Sequence, residues 1–316
     1  MAASTSLINS TNVRNGLALL GHRARFAVTS RLAPERAVEM AARLFATPPR
    51  FTHTAREREF LATGTPFEVR SARGRVAAWR FGRIDRPAVV LAHGWGGRGA
   101  QLGAFAVPLL EAGYQVVLFD HVGHGDSEPG ASTLVHFVAG LDAVVRAVES
   151  NGARVAGFVG HSLGAAAVAA WLARTGHAGR AVLVAPPTSV ERYSGFFARR
   201  LGIPERVRRA MQERLESSLG TRWSEFELPH AVDGVRAPAL VIHDACDRDV
   251  SQRSGLALAR AWPGARFTGT QGLGHYRILR DPSVVNDAAD FIASRVTFAP
   301  PPAHGAATFG APAPIL

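Results

Sequence analysis

Apolar runs of strand length alternate with helical patterns along most of this chain, and this alternation constrains the fold more than any other feature. The five clearest runs cover residues 88–92, 115–119, 154–159, 181–185 and 239–242. Continuously apolar strands are typical of sheets that are buried on both faces, and strands linked through helices pair in parallel. We therefore predict an α/β fold: a mostly parallel, twisted sheet with helices on both faces.

Weaker signals complete the pattern. A sixth, less apolar run lies at 265–270, and two short antiparallel strands are predicted at 67–70 and 75–81, on either side of Gly74. Helical patterns fall at 100–111, 133–150, 163–175, 251–261 and 282–295. The helices lie between the apolar runs, as a sheet covered on both faces requires.

The chain divides into three parts. Residues 1–50 are predicted to be a helical lead-in, because Ala37, Ala41, Leu44 and Phe45 recur on one helical face and Pro48-Pro49 ends it. Residues 51–297 form the sheet domain. The tail at 298–316 is rich in Pro, Ala and Gly, which predicts disorder.

An insertion interrupts the alternation between the runs at 181–185 and 239–242. It is too long for a simple connection, so we predict a small helical cap at about 187–236, with a helix over 205–219. Its aromatic residues are Tyr193, Phe196, Phe197, Trp223 and Phe226. They predict an apolar pocket beneath the cap.

A serine between two glycines marks the point where a buried run passes into a helix. The sequence Gly160-His161-Ser162-Leu163-Gly164 is a G-x-S-x-G motif in the strand–turn–helix context that a nucleophile elbow requires. Gly160 and Gly164 allow strand and helix to approach closely, and the helix N-terminus favours the negative charge of acyl transfer. Ser162 is therefore the candidate nucleophile.

A serine nucleophile needs a base, and the base needs an orienting acid. The run at 239–242 leads into an acidic turn that contains Asp247 and Asp249, and the next run leads into His275. Both turns follow strands, so they are expected at the same sheet edge as Ser162. We predict His275 as the base and Asp247 as the acid, with Asp249 as the alternative acid.

These motifs together resemble the α/β-hydrolase superfamily, in particular its serine esterase and lipase branch, over about residues 65–296. The resemblance implies that the segment His93-Gly94-Trp95 supplies an oxyanion hole through the backbone N–H of Trp95, with Leu163 as the second donor and Gly94 in a structural role. It also implies that residues 120–127 form a structural turn. In the acid turn, Asp244 and Ser251 stand where the family usually has glycine and proline.

The formal net charge of +11 raises the question of an anionic partner. All 36 basic residues are arginine, since the chain contains no lysine, and they are spread along the whole sequence. This pattern favours solvated surface arginine over a nucleic-acid or membrane site, so we predict no nucleic-acid partner. We expect the N-terminal helix to pack on its own domain rather than on a membrane. A single cysteine and the absence of a signal-like N-terminus predict a cytoplasmic protein.

Two other motifs suggest different chemistry. The run Gly94-Trp95-Gly96-Gly97-Arg98-Gly99 fits a dinucleotide-binding pattern, but a tryptophan is an awkward neighbour for a pyrophosphate. His93, His121, His124 and Asp126 could suggest a metal site, although a tight turn directs such side chains apart. We predict neither a cofactor nor a metal.

The sequence therefore predicts a serine hydrolase that acts through an acyl-enzyme on small-molecule carboxylic esters with an apolar acyl group. The same residues would serve a thioester, an amide or a carbon–carbon bond. A non-catalytic binding module with this fold is the alternative from another class. Serine at the elbow argues against enzymes of this fold that need a carboxylate nucleophile.

Overall fold

The computed structural model describes residues 3–294, with side chains from residue 18 onward. The tail predicted to be disordered, 298–316, lies outside the described residues. All of the predicted strands and the main predicted helices fall within them.

Eight strands form one sheet in the spatial order β1-β2-β4-β3-β5-β6-β7-β8. They are β1 (Thr65–Ser71), β2 (Gly74–Phe81), β3 (Ala88–Ala92), β4 (Gln115–Phe119), β5 (Val155–His161), β6 (Arg180–Val184), β7 (Ala239–Asp244) and β8 (Arg266–Thr270). The β1–β2 and β2–β4 pairs are antiparallel and the remaining pairs are parallel. The predicted fold class, a mostly parallel α/β sheet, is confirmed.

Twelve α-helices lie within the described residues. They are α1 (Ala3–Leu32), α2 (Pro34–Ala46), α3 (Ala55–Ala62), α4 (Ala106–Glu111), α5 (Leu134–Ser150), α6 (Leu163–Thr175), α7 (Val190–Leu201), α8 (Glu205–Leu219), α9 (Leu228–Ala231), α10 (Gln252–Ala261), α11 (Gly274–Arg277) and α12 (Pro282–Ala293). Short 3₁₀ segments occupy Gly99–Phe105, Trp223–Phe226 and Ile278–Arg280. The helix predicted over 100–111 is thus a 3₁₀ segment followed by α4. The segment begins at Gly99, which packs tightly against the end of β4: a Cβ there would lie 2.8 Å from Phe119 O.

Two apolar clusters lie on opposite faces of the sheet, and successive strand residues alternate between them. On β3, Val90 belongs to the cluster with α5 and α6, whereas Val89 and Leu91 belong to the cluster with α4 and α12. All five residues of β3 are buried. Burial on both faces explains why the sequence of the central strands is continuously apolar.

A third apolar cluster joins the N-terminal helices to the predicted cap. Buried residues of α2 (Ala37, Ala41) pack with Val207 and Met211 of α8 in this cluster. Phe26 of α1 is also fully buried there. The N-terminal segment therefore packs on the cap of its own chain.

The apolar content of the helices bears on the membrane question. Among residues 3–294, no helix is both long and apolar enough to cross a membrane. Cytoplasmic location stays a prediction.

Candidate active site

Ser162 lies at the sharp turn between β5 and α6, with φ 51° and ψ −122°. This is a strained conformation for a residue with a side chain, and it persists only where the surroundings enforce it. A Cβ at Gly160 would lie 2.5 Å from Ala165 Cα, and a Cβ at Gly164 would overlap the carbonyl oxygen of Ala92. The two glycines thus permit the close approach that holds Ser162 in its strained turn.

His275 and Asp247 are joined by a hydrogen bond at the same edge of the sheet. The Nδ1–H of His275 donates to Asp247 Oδ2 over 2.7 Å. The other carboxylate oxygen, Oδ1, accepts the backbone N–H groups of Asp249 at 2.8 Å and Val250 at 2.9 Å. Burial alone would raise the pKa of Asp247, but hydrogen bonds from His243, His275 and the Val250 N–H hold it well below the usual range. Asp247 is therefore a carboxylate fixed at both oxygens.

Asp249, the alternative acid, is placed differently. Its side chain is exposed and lines the cavity, and no hydrogen bond joins it to His275 in the described part of the chain. Asp247, and not Asp249, is therefore the acid that is hydrogen-bonded to His275.

Asp244, which stands where the family usually has glycine, is buried and ties the acidic turn to the histidine turn. Its Oδ1 accepts the N–H of Cys246 at 2.9 Å, while its Oδ2 accepts the Leu273 N–H at 3.0 Å and the Thr270 hydroxyl at 2.8 Å. Ser251, in place of the usual proline, is the N-cap of α10. Both departures from the family pattern therefore have local structural roles.

The two predicted oxyanion donors lie on either side of the elbow. Leu163 is the first residue of α6, and Trp95 lies in the glycine loop (residues 93–99) that follows β3. A Cβ at Gly94 would lie 3.0 Å from Ser162 Cβ, so the loop packs directly on the elbow. Within the described residues, neither the Trp95 N–H nor the Leu163 N–H donates a hydrogen bond to another group of the chain. Both donors are free to bind an oxygen atom.

Buried neutral histidines hold the glycine loop in place. His124 Nε2 accepts the N–H of Gly96 at 2.9 Å, and its Nδ1–H donates to Val122 O at 3.1 Å. Burial lowers the pKa of His124 to about 4. His93 Nε2 accepts the His121 N–H at 2.9 Å, and burial lowers the pKa of His93 to about 3. The ring nitrogens of His93 and His124 are thus already engaged by backbone groups.

The turn that follows β4 is held by Asp120. Its Oδ1 accepts the N–H of Gly99 at 2.7 Å, and its Oδ2 accepts the Asp126 N–H at 2.9 Å and the His53 ring N–H at 2.8 Å. The ring of His121 stacks on Phe137 instead, with centroids 3.7 Å apart. Of the residues that suggested a metal site, His93 and His124 therefore serve as loop supports.

Another set could hold a metal by spacing alone. Among the described residues, Asp247, Asp249 and His275 place one ligand atom each within 4.8 Å of one another. Two of these residues, His275 and Asp247, already share a hydrogen bond. The set therefore belongs to the histidine–carboxylate pair.

His161, the residue before Ser162, has a role that sequence reasoning missed. Its Nε2–H donates to the backbone carbonyl of His275 at 2.9 Å. Burial, together with the nearby His275, lowers the pKa of His161 to about 3, so the ring is neutral. Its position in the motif gave no signal of this bond, because the partner lies 114 residues away.

A cavity of about 280 Å³ opens at the elbow. Ser162, His275, Trp95 and Leu163 all line it, although no hydrogen bond joins Ser162 Oγ to His275 within the described residues. Most of the remaining lining is apolar or aromatic, and half of it consists of apolar and aromatic residues of the cap and of α2: Phe45, Pro187, Val190, Tyr193, Phe196, Leu215, Leu219, Trp223, Phe226 and Leu228. The predicted apolar pocket beneath the cap is therefore present.

Comparison with known proteins agrees with this architecture. A family model described as serine aminopeptidase, S33, matches residues 84–226, which include the glycine loop and the elbow but neither Asp247 nor His275. No curated protein matches the sequence.

Solved structures give a wider match. An esterase of Pyrococcus furiosus, Pf2001, is 18% identical with a TM-score of 0.60, over 78% of this chain and 98% of its own. The esterase RhEst1 of Rhodococcus sp. is 23% identical with a TM-score of 0.54, over 72% of this chain and 98% of its own. Carboxylesterase CesB of Bacillus subtilis is 18% identical with a TM-score of 0.55, over 75% and 95%. At these identities the likeness establishes the fold, not the substrate.

Proposed function

We propose that this chain is a member of the α/β-hydrolase superfamily and a serine hydrolase that cleaves small-molecule carboxylic esters with an apolar acyl group. In this proposal Ser162 is the nucleophile, His275 the base and Asp247 the acid. The observation that carries it is the 2.7 Å hydrogen bond between His275 and Asp247, at the cavity into which the strained elbow presents Ser162.

The hydrogen-bond pattern supports these roles. With Nδ1–H held by Asp247, His275 has an unprotonated Nε2, the tautomer that can accept the serine proton. The Ser162 oxygen then attacks the ester carbonyl, and His275 returns the proton to the departing alcohol. Water activated by His275 hydrolyses the acyl-enzyme in the second half-reaction. The missing Ser162–His275 bond is compatible with this scheme, because catalytic hydrogen bonds often tighten only when substrate binds.

The oxyanion would be bound by the backbone N–H groups of Trp95 and Leu163. Neither donates elsewhere within the described residues, and Leu163 begins α6, whose N-terminal dipole favours negative charge. Preorganised donors of this kind are typically the largest single source of transition-state stabilisation in acyl transfer.

The apolar cavity favours an ester with an apolar acyl group. Thioester, amide and carbon–carbon bond cleavage use the same groups and are distinguished only by substrate. The esterases among the structural matches agree with an ester as first choice.

The test is covalent labelling with a fluorophosphonate probe, beside hydrolysis of p-nitrophenyl esters, in wild type, Ser162→Ala and Ser132→Ala. Ser132 also lines the cavity, so it is a matched control for a serine that does not lie at the elbow. We expect labelling in wild type and Ser132→Ala and none in folded Ser162→Ala. Ester turnover by Ser162→Ala at the wild-type rate would refute the assignment, and unlabelled, well-folded wild type would favour the non-catalytic binding module.

A further inference from the structure

The last turn of α2 reaches the cavity. Phe45 is one of the residues that line it, and its ring contacts three aromatic residues of the cap. It stacks on Trp223 with centroids 5.3 Å apart, meets Phe197 edge-on at 5.3 Å and lies 6.0 Å from Tyr193. Phe45 is thus part of one aromatic wall with the cap, although it lies about 150 to 180 residues before these partners in the chain.

The helix that carries Phe45 is fixed on two sides. Its apolar face packs on α8 through the third cluster, in which Ala41 and Met211 are fully buried. On the other side, the carbonyl of Ala46 accepts the N–H of Ser132 at 2.6 Å, and Ser132 lies in the cavity wall. The helix that carries Phe45 is therefore held on both sides, and the Phe45 ring lies against three cap aromatics at the cavity.

The size of the cavity sets a scale for what it can hold. A cavity of about 150 Å³ accommodates benzene, so one of about 280 Å³ has room for roughly ten non-hydrogen atoms. A single-ring or medium-length acyl group fits this space, whereas a long fatty acyl chain would have to displace the aromatic wall.

We propose that Phe45 determines the upper limit of acyl length, and that the N-terminal segment is therefore part of the substrate site. The substrates are esters of medium-length or single-ring acids. This inference rests on the proposed function and deepens it by naming the substrate class.

The experiment compares kcat/KM for p-nitrophenyl butyrate, octanoate and dodecanoate in the full chain. The first variant, Phe45→Ala, removes the ring from the aromatic wall. The second, Phe45→Leu, keeps a smaller apolar side chain at this position and is used if the alanine variant does not fold. Phe51→Ala is the matched control, because Phe51 is half exposed and lies outside the cavity lining.

We expect wild type and Phe51→Ala to favour octanoate over dodecanoate. In the Phe45 variants the dodecanoate-to-butyrate ratio should rise about tenfold or more, since a misfit of even one methylene in an apolar pocket is worth that much. An unchanged ratio in a folded Phe45 variant, or a uniform loss on all three esters, would overturn the proposal.

A second readout separates this proposal from the hydrolase assignment. Trp95 and Trp223 both line the cavity, so binding of 1-hexanol and 1-dodecanol can be followed by tryptophan fluorescence without any turnover. If wild type cleaves no ester, the proposed function fails. In that case, selectively stronger binding of 1-dodecanol by Phe45→Ala would still support Phe45 as the residue that limits the length of the bound chain. If Phe45→Ala and Phe51→Ala bind both alcohols alike, the inference about Phe45 fails as well.

Discussion

Replacing Asp247 by asparagine tests the proposed acid, because the structure fixes how the new amide must sit. Oδ1 of Asp247 accepts two backbone N–H groups, from Asp249 and Val250, so the amide oxygen of asparagine has to occupy that position. The amide NH₂ then faces His275 Nδ1, where the carboxylate now accepts a hydrogen bond over 2.7 Å. A donor at this place favours the His275 tautomer that carries its proton on Nε2, which cannot take the proton of Ser162.

The expected loss is large. Where an asparagine forces the wrong tautomer in a triad, kcat falls by about 10⁴-fold, which corresponds to roughly 5 kcal/mol. Asp249→Asn is the matched control, two residues away, and should stay within about tenfold of wild type since Asp249 makes no hydrogen bond to His275 within the described residues.

The assay is kcat for p-nitrophenyl butyrate, with circular dichroism and urea unfolding to verify that both variants fold. The reasoning is refuted if folded Asp247→Asn keeps more than about a tenth of wild-type kcat, given the ~10⁴-fold loss expected for a displaced tautomer. It is equally refuted if Asp249→Asn has the larger effect, which would move the acid to Asp249.

Two further predictions concern stability. Gly164→Ala should prevent a native elbow, because the new Cβ would overlap the carbonyl oxygen of Ala92. Gly195→Ala in α7 is the control: its Cβ would meet nothing closer than 3.4 Å, so this variant should be neutral or more stable by about 0.5–1 kcal/mol. Equal urea midpoints for the two variants would contradict this prediction. His124, which accepts the Gly96 N–H, has a pKa of about 4 in the folded protein, against ~6.5 in the unfolded chain. The neutral ring therefore stabilises the folded state fully above pH ~6.5. This contribution to the free energy of unfolding, at most about 3 kcal/mol, is lost as the pH falls towards 4. His124→Gln, which keeps an acceptor and cannot take up a proton, should therefore lose less stability than wild type between pH 7 and 4.5 in urea unfolding, and an identical loss in both would exclude this role.

The sheet could be predicted from sequence because its strands are buried on both faces. The runs at 88–92 and 115–119 coincide with β3 and β4, since continuous apolar residues between turn residues leave little choice of boundary. The helix over 205–219 was located as well, ending at Gly220 in the left-handed conformation. These are local signals that a single sequence carries.

The wall formed by Phe45 could not be predicted in the same way. The helical period of residues 37–45 indicates an apolar face, but it does not say what that face covers. The partners, Trp223 and Phe197, come from a cap far along the chain. The sequence could not decide between Asp247 and Asp249 for a similar reason. Both lie in one short turn, and only the path of the backbone decides which carboxylate is hydrogen-bonded to His275.

The bond from His161 shows how the proposed nucleophile and base are held together. His161 directly precedes Ser162 on β5, and its ring N–H donates to the carbonyl of His275 itself. This bond joins the elbow to the histidine turn through the backbone, while Asp244 joins the histidine turn to the acidic turn. All three turns are therefore connected without any hydrogen bond between Ser162 and His275. Since His161 has a pKa of about 3, its ring stays neutral over the pH range in which a histidine base works, so its hydrogen bond to the His275 carbonyl does not depend on pH in this range.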